Sequence, residues 1–478
     1  MDILLTHGYF LRDDPHEARI MKPYPPLGIL CISAYLKRQG FNAGIFDATF
    51  SSFPEFEMTL ERERPPVVGI YCTLMTKFAV LRMIRAAKAA GATVVLGGPE
   101  PASYADEYIN CGADVIVFGE GEATLADLLP VLAGKGSSGL DKIAGIACRR
   151  DDGLIVRNPA RPLLEDLDLL PDPDREGIDI GRYLAAWRDF HNSTSLSLVC
   201  ARGCPYRCTW CSHAVYGHTH RRRSPQRVAS EVEHLLAQYA PDQLWYADDV
   251  FTIHHPWLFA YSDELKRRGI RVPFECISRA DRLDEQIIDL LAEMGCRRLW
   301  IGSESGSQRI LDAMKRGVKS GQVRAMTHAL RRRGIETGMF IMLGYEGEEV
   351  QDLQATVEHL KACAPDVFLT TVAYPIKGTE YYEKVRDRII ARSAWQSRTD
   401  RDLTVRGRHS PRFYSFAVRW MVNSIAFHRE RTGGRNLLRL FKAAVNAGIG
   451  RAGMMITKSQ IERGPGSGGG TTAAPVRS

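Results

Sequence analysis

The stretch VCARGCPYRCTWCSH, residues 199–213, places Cys200, Cys204, Cys208 and Cys211 within twelve positions. Cys204, Cys208 and Cys211 form a Cys-x3-Cys-x2-Cys run. Thiolates at that spacing on one loop can converge on a soft metal centre. Three are one short of a closed structural zinc site, which takes four protein ligands. They match a [4Fe–4S] cluster held at three irons with the fourth open. Cys200 would complete a zinc tetrad, but it belongs to a strand pattern whose alternation aims it away from the loop. His213 is the other conceivable fourth ligand. The remaining seven cysteines are scattered in mostly apolar or small-residue surroundings and read as buried small hydrophobes.

Thiols do such chemistry only when other elements position them. In the first 145 or so residues, Ile3–Thr6, Ala43–Asp47, Val67–Cys72, Thr93–Leu96 and Val115–Phe118 read as strands. Leu27–Gln39, Phe78–Ala90 and Ala123–Leu132 read as helices. This alternation predicts a parallel, doubly wound sheet, whose ligands sit in loops beyond the strands' carboxyl ends. Those loops are Thr6–Tyr9, Tyr71–Thr76, Gly97–Glu100 and Gly119–Glu122, where glycines permit close approach of a large ligand or simply make tight turns. GKGSSG, residues 134–139, reads as a flexible connection, and Pro159, Pro162, Pro171 and Pro173 mark an irregular linker. From Ser195 the alternation resumes, with strands over 195–200, 243–247, 273–278, 298–302, 338–343 and 367–372. Six βα units in about 200 residues predict a partial parallel barrel with its chemistry at the strands' C-terminal ends. The chain is thus read as α/β: a doubly wound domain over 1–140, a linker over 141–190, a partial (β/α)6 barrel over 191–390, a basic helical region over 391–463 and a disordered tail over 464–478.

Composition agrees with a large globular core, since 45% of the 478 residues are hydrophobic. The N-terminus lacks the basic-then-apolar pattern of a signal peptide, and no uninterrupted apolar run is long enough to span a bilayer. A cytoplasmic protein is therefore expected, whose eleven cysteines stay reduced. Charge divides unevenly: residues 391–478 hold 16 Lys/Arg against 4 Asp/Glu, a net of +12, while the rest of the chain is −5.

Cys204-Pro-Tyr-Arg-Cys208-Thr-Trp-Cys211 resembles the signature of the radical S-adenosylmethionine (radical SAM) superfamily, including the aromatic before the third cysteine, here Trp210. The resemblance covers about residues 195–385. It implies Cys204, Cys208 and Cys211 as cluster ligands, with S-adenosylmethionine on the open iron and a 5′-deoxyadenosyl radical as product of its one-electron cleavage. It further implies Asp248 and Asp249 at the methionine amino group, Arg279 at the carboxylate, Ser303 and Glu304 in the ribose-contacting stretch, and Met339–Glu348 near the adenine. Read without the resemblance, Asp248 and Asp249 serve as helix N-caps and Arg279 pairs with Asp281. Residues 1–140 resemble the Rossmann-like cobalamin-binding domain that precedes many radical SAM domains, which implies cobalamin contacts at Gly8, Thr73, Gly97, Gly98, Glu120 and Gly121. Domains that ligate cobalt through histidine carry Asp-x-His-x-x-Gly. Here the string is Asp14-Pro15-His16-Glu17-Ala18-Arg19, without the glycine, which implies a cobalt with no protein ligand.

The reading that follows is a cobalamin-dependent radical SAM enzyme, with methyl transfer to an unactivated carbon ahead of oxidative cyclisation of a porphyrin-like substrate. No catalytic acid or base is identified. The expected partners are a small-molecule substrate, lipid-like or tetrapyrrole in character, and an electron donor such as flavodoxin or ferredoxin, with no nucleic acid. The segment 437–456 mixes apolar and basic residues. It reads as a helical cap on the barrel or as a peripheral membrane contact. A zinc-stabilised nucleic-acid-binding protein is the alternative from another class.

Overall fold

Branched apolar residues fill the strands of the first half because helices cover both faces of their sheet. In the computed structural model, which describes residues 1–134, 139–433 and 436–462, β1 (Ile3–His7), β2 (Ala43–Phe46), β3 (Val67–Tyr71), β4 (Thr93–Gly97) and β5 (Val115–Val117) are parallel, in the order β2-β1-β3-β4-β5. Alternate residues serve opposite faces. Leu4, Val68, Ile70, Val94 and Leu96 join the core under helices Phe53–Glu63 and Lys77–Ala89. Ile3, Leu5, Val67, Val95 and Val117 join the core under Leu27–Arg38 and Gly121–Ala133.

The stretch read as an irregular linker is more ordered than its prolines imply. β6 (Ile146–Arg149) and β7 (Ile155–Arg157) continue the sheet antiparallel beyond β5, and Ile180–His191 is a helix. Asp151-Asp152-Gly153 turns that hairpin, with Gly153 at φ +84. Pro159 and Pro162 fall just after its last strand. The connection expected to be flexible lies, over 135–138, outside the described residues, as does the tail expected to be disordered.

The second sheet begins with β8 (Ser195–Leu198), followed by a two-residue hairpin of β9 (Ala201–Arg202) and β10 (Arg221–Arg222). β11 (Gln243–Tyr246), β12 (Phe274–Ser278), β13 (Cys296–Glu304), β14 (Glu336–Leu343) and β15 (Val367–Val372) follow in parallel, in the order β8-β11-β12-β13-β14-β15. β8 and β15 remain edges, so the barrel is partial.

Past β15 the chain does two jobs. Residues 395–402 return to the first sheet, where the buried Lys77 donates to the carbonyls of Trp395 and Arg398, both at 2.7 Å, beneath the Trp395 ring. The Tyr104 hydroxyl donates to the Asp400 carboxylate there. Helix Pro411–Thr432, N-capped by Ser410, then buries Phe413, Ala417, Met421 and Ile425 in the barrel core. Helix Leu437–Thr457 packs on it closely: a Cβ at Gly450 would lie 2.5 Å from the Trp420 backbone nitrogen. Among the described residues no helix is long and apolar enough to cross a membrane.

Candidate active site and cofactor cavity

The cysteine loop leaves the end of β8 and is closed at its base by β9 and β10. Gly203 sits at φ +87, and a Cβ there would lie 2.5 Å from the Thr219 carbonyl oxygen, so the neck of the loop admits only glycine. At mid-loop, Thr209 donates its N–H to the Met314 carbonyl at 3.1 Å, accepts the Tyr381 N–H at 2.8 Å and meets the Tyr345 hydroxyl at 2.6 Å. Trp210 is half-buried against the cluster of Ile310, Met314, Tyr345 and Tyr381. Cys204 and Cys208 are half-buried and Cys211 is exposed, whereas Cys200 is fully buried in the barrel core.

Although Cys211 reaches the surface, packing of the loop around its sulfur, and then the neighbouring thiols of Cys208 and Cys204, push its thiol up to about 12. Ligation of a metal centre by these groups therefore releases protons. Two buried cations offset that charge: guanidinium nitrogens of Arg279 and Arg316 lie 3.8 and 3.9 Å from the Cys208 sulfur. Arg279 also stacks on the Tyr206 ring at 3.6 Å and pairs with Asp281 at 2.8 Å. As the side chains stand, no three His, Cys, Asp or Glu among the described residues converge tightly enough to hold an ion. The donor set nonetheless fits an electron-rich sulfur cluster, with three thiols on one pinned loop and two guanidiniums beside it.

The acidic pair on the β11 loop is split. Asp248 is buried and accepts the N–H groups of Cys200 at 2.7 Å and Ala201 at 3.1 Å, while its other oxygen meets Arg222 at 3.1 Å. That carboxylate anchors the entry to the cysteine loop, with both of its oxygens engaged there. Asp249 is exposed and raises the thiol pKa of both Cys204 and Cys211 by its charge. At the end of β13 a register shift re-aims the chain, and Glu304 stands at φ +59, the left-handed region costly for a non-glycine residue. Burial pushes its carboxyl up to about 8, against the pull of Arg279. Ser303 is spent on His359 Nε2 at 3.0 Å and is fully buried.

Beyond β14, Glu348 turns inward and accepts the Gly344 N–H, leaving its other oxygen unpartnered. Burial pushes this carboxyl up to about 8, from 4.5. A folded-state pKa above the unfolded one means its stabilising contribution is full below about pH 4.5 and is lost as pH rises through 8. Glu348→Gln should flatten that slope and stabilise the protein at pH 8 by a few kcal/mol relative to pH 5. Urea unfolding at the two pH values checks this, and equal effects at both would exclude it.

At the carboxyl edge of the first sheet lies a cavity of about 370 Å³, lined mostly by apolar groups. Gly28 and Gly97 line it, and a Cβ at either would meet nothing within 4 Å, so their missing side chains are open space. Gly98 and Gly121 line it too. Gly98 is required by its φ of +107 and a Cβ position 2.4 Å from the Cys72 carbonyl oxygen. The expected contacts Gly8 and Thr73 are not among the lining residues. A Cβ at Gly8 would meet Val80 at 2.6 Å, and Thr73 N–H donates to Thr76 Oγ1 at 2.9 Å. Both loops fold onto the start of helix Lys77–Ala89 instead. Among the described residues no histidine lines the cavity. His16 is exposed on helix Pro15–Ile20, and His7 Nε2 is engaged by Asp47 at 3.0 Å.

The far wall of this cavity belongs to the barrel: Arg202, Val215 and Tyr216 come from the cysteine loop and its neck. Glu120, expected to touch the cofactor, lines the cavity but gives its carboxylate to Arg202 at 2.7 Å, Arg221 at 2.9 Å and the Leu164 N–H at 2.9 Å. Glu122 pairs with Arg202 at 2.5 Å. All four charged side chains are largely buried, so the Gly-Glu-Gly-Glu turn is a docking device between the two sheets. Arg202→Met should cost about 3–5 kcal/mol, because it leaves the buried Glu122 carboxylate without its guanidinium and removes one of the two that hold Glu120. Thermal unfolding checks this, and a change under 1 kcal/mol would mean the pairing contributes little.

Sequence reasoning did not pick out Arg202, Tyr216 or Arg316, and placed Glu122 only as the end of a glycine loop. Arg316 follows a short helix and is 108 positions from Cys208, so nothing local marks it.

Comparison with known proteins accounts for both halves of this arrangement. Residues 18–129 match the B12 binding domain family and residues 198–360 match the Radical SAM superfamily. An uncharacterized methyltransferase of Pyrococcus horikoshii is 26% identical over 80% of this chain and 84% of its own length. The anaerobic magnesium-protoporphyrin IX monomethyl ester cyclase of Rubrivivax gelatinosus is 26% identical over 80% of this chain and 70% of its own. The fold matches that of OxsB solved with aqua-cobalamin bound, at a TM-score of 0.73 and 16% identity, covering 95% of this chain and 80% of that one. It also matches TsrM from Kitasatospora setae, at 0.68 and 19%, covering 80% and 74%. The protein is therefore an enzyme of the radical SAM superfamily. More narrowly, it belongs to the cobalamin-dependent radical SAM group, which includes both methyltransferases and the magnesium-protoporphyrin cyclase, and its cofactors are cobalamin, a [4Fe–4S] cluster and S-adenosylmethionine. The same two family matches identify a radical SAM enzyme in place of the zinc-stabilised alternative.

Proposed function

We propose that the protein transfers a methyl group to an unactivated carbon of a small-molecule substrate. The observation that carries this reading is the sharing of one loop by both cofactor sites. Residues 204–211 bear the three thiols, and Val215 and Tyr216 of the same loop wall the cavity of the first sheet. When bound, the cluster and S-adenosylmethionine supply a 5′-deoxyadenosyl radical, and cobalamin supplies the methyl group.

The chain's own residues bind and orient. Cys204, Cys208 and Cys211 hold the cluster. Arg279 and Arg316 suit the carboxylate of S-adenosylmethionine, and Asp249, rather than Asp248, suits its ammonium. Glu304 faces the same mouth and suits the ribose hydroxyls. Gly28, Gly97, Gly98 and Gly121 line the slot for cobalamin. At about 370 Å³ the slot takes only part of so large a ligand, and its apolar lining suits a flat heterocycle. The cobalamin unit extends through β7, to residue 157, rather than ending at 140. A reducing cytoplasm with a flavodoxin- or ferredoxin-like donor would supply the electron.

The identity shared with the magnesium-protoporphyrin cyclase favours a second reading, oxidative cyclisation. One experiment separates the two. Anaerobically reconstituted enzyme is incubated with extract of a strain lacking it, S-adenosylmethionine labelled in its methyl group, and labelled water. Methyl label in the product supports transfer. Oxygen label without methyl label supports cyclisation, and absence of 5′-deoxyadenosine would sink both.

A further inference from the structure

Helix Leu437–Thr457 has two apolar faces, and only one is covered. Ala443, Gly450 and Met454 are buried on the side that meets helix Pro411–Thr432. On the opposite side Leu437, Leu438, Phe441, Val445, Ile449 and Ile456 form a continuous exposed stripe, with Leu438 at 82%, Phe441 at 70% and Ile456 at 76% exposure. Turning 3.6 residues per turn, the helix sets Lys442 along one margin of this stripe and Arg451 along the other. Lys458 follows the last turn and Arg439 lies in the first. The helix contains no acidic residue, and among the described residues no carboxylate pairs with Arg439, Lys442 or Arg451.

We propose that this outer face docks the enzyme flat on an anionic lipid membrane. A stripe of large apolar side chains between two basic margins matches an acyl boundary beneath anionic headgroups. The charge pattern also argues against a second copy as the occupant. A two-fold contact along this stripe would set the basic margins of one helix against those of the other, with no carboxylate on either to pair them. Membrane docking is independent of which reaction the enzyme runs.

Full-length protein, parent and variant, is co-sedimented with vesicles of phosphatidylglycerol and phosphatidylcholine, or of phosphatidylcholine alone, at low and high salt. The parent should bind the anionic vesicles at low salt and be weakened by high salt. Leu438→Glu/Phe441→Glu should lower binding by about tenfold or more, since it puts carboxylates where acyl chains would lie. Both positions are solvent-exposed, so unfolding temperatures should stay at the parent value. Arg439→Glu/Lys442→Glu should weaken binding by a similar factor, each basic residue contributing about fivefold. The idea is overturned if the parent ignores anionic vesicles at low salt, or if both double variants bind as the parent does. It is equally overturned if light scattering finds the parent dimeric and Leu438→Glu/Phe441→Glu monomeric, which would assign the stripe to a second copy.

Discussion

Cys208→Ala should abolish reductive cleavage of S-adenosylmethionine, lowering 5′-deoxyadenosine formation by at least about a thousandfold, or some 4 kcal/mol of barrier. The loop offers three thiols and no substitute. Cys200 lies fully buried in the barrel core, and His213 has its buried Nε2 without a partner but sits against His218, ring to ring at 4.0 Å. Cys208 is also the sulfur that both Arg279 and Arg316 approach, so its removal takes a sulfur partner from two buried guanidiniums as well as a ligand from the cluster. The control is Cys200→Ala, which should keep iron and sulfide at the parent level and cost only about 1 kcal/mol of packing. Iron, acid-labile sulfide and 5′-deoxyadenosine measured on anaerobically reconstituted protein decide the matter. If Cys200→Ala loses iron while Cys208→Ala keeps it, the ligand set is wrong.

Gly97→Leu should lower cobalamin affinity by more than about tenfold while leaving the fold intact. Most glycine substitutions confound those two effects. At Gly97 they separate, because the position lines the cavity and a Cβ would touch no protein atom within 4 Å. A leucine there projects into the slot, and overlap with a bound ligand costs about 2 kcal/mol or more. Gly98 is the contrasting neighbour, where φ of +107 and the nearby Cys72 carbonyl make any side chain strain the backbone itself. Gly98→Leu should therefore lower the unfolding temperature, and Gly97→Leu should not. The corrin absorption retained after desalting measures the first effect, and thermal unfolding the second. Parent-like cobalamin retention in Gly97→Leu would remove this cavity from the binding site.

The two central strand systems were legible in the sequence because their cause is local. A strand covered on both faces must be apolar throughout, as in Val67–Tyr71 and Thr93–Gly97, and a helix–strand alternation admits few topologies. The cysteine run was legible for a similar reason, since ligand spacing within one loop is a property of the chain itself. What the sequence could not express is competition for a charged group among distant partners. Asp248 and Asp249 are neighbours of one type. Only the return of β9 and β10 to the end of β8 decides that the first is consumed by Cys200, Ala201 and Arg222 and the second is left exposed near the thiols. Glu120 stands in a glycine-rich turn that suits a cofactor, yet the docking of the two sheets brings Arg202 and Arg221 to it, and a buried carboxylate is held by its strongest nearby cation. Pro159 and Pro162 misled in the other direction, since proline marks where a strand stops and not whether one precedes it. Sequence by itself determined the two sets of parallel strands and which thiols share a loop, because those follow from spacing along the chain. Tertiary structure alone decided which charges remain free for a ligand, because a buried charge is neutralised by whatever the fold brings within a few ångströms, however far away that group lies in the chain.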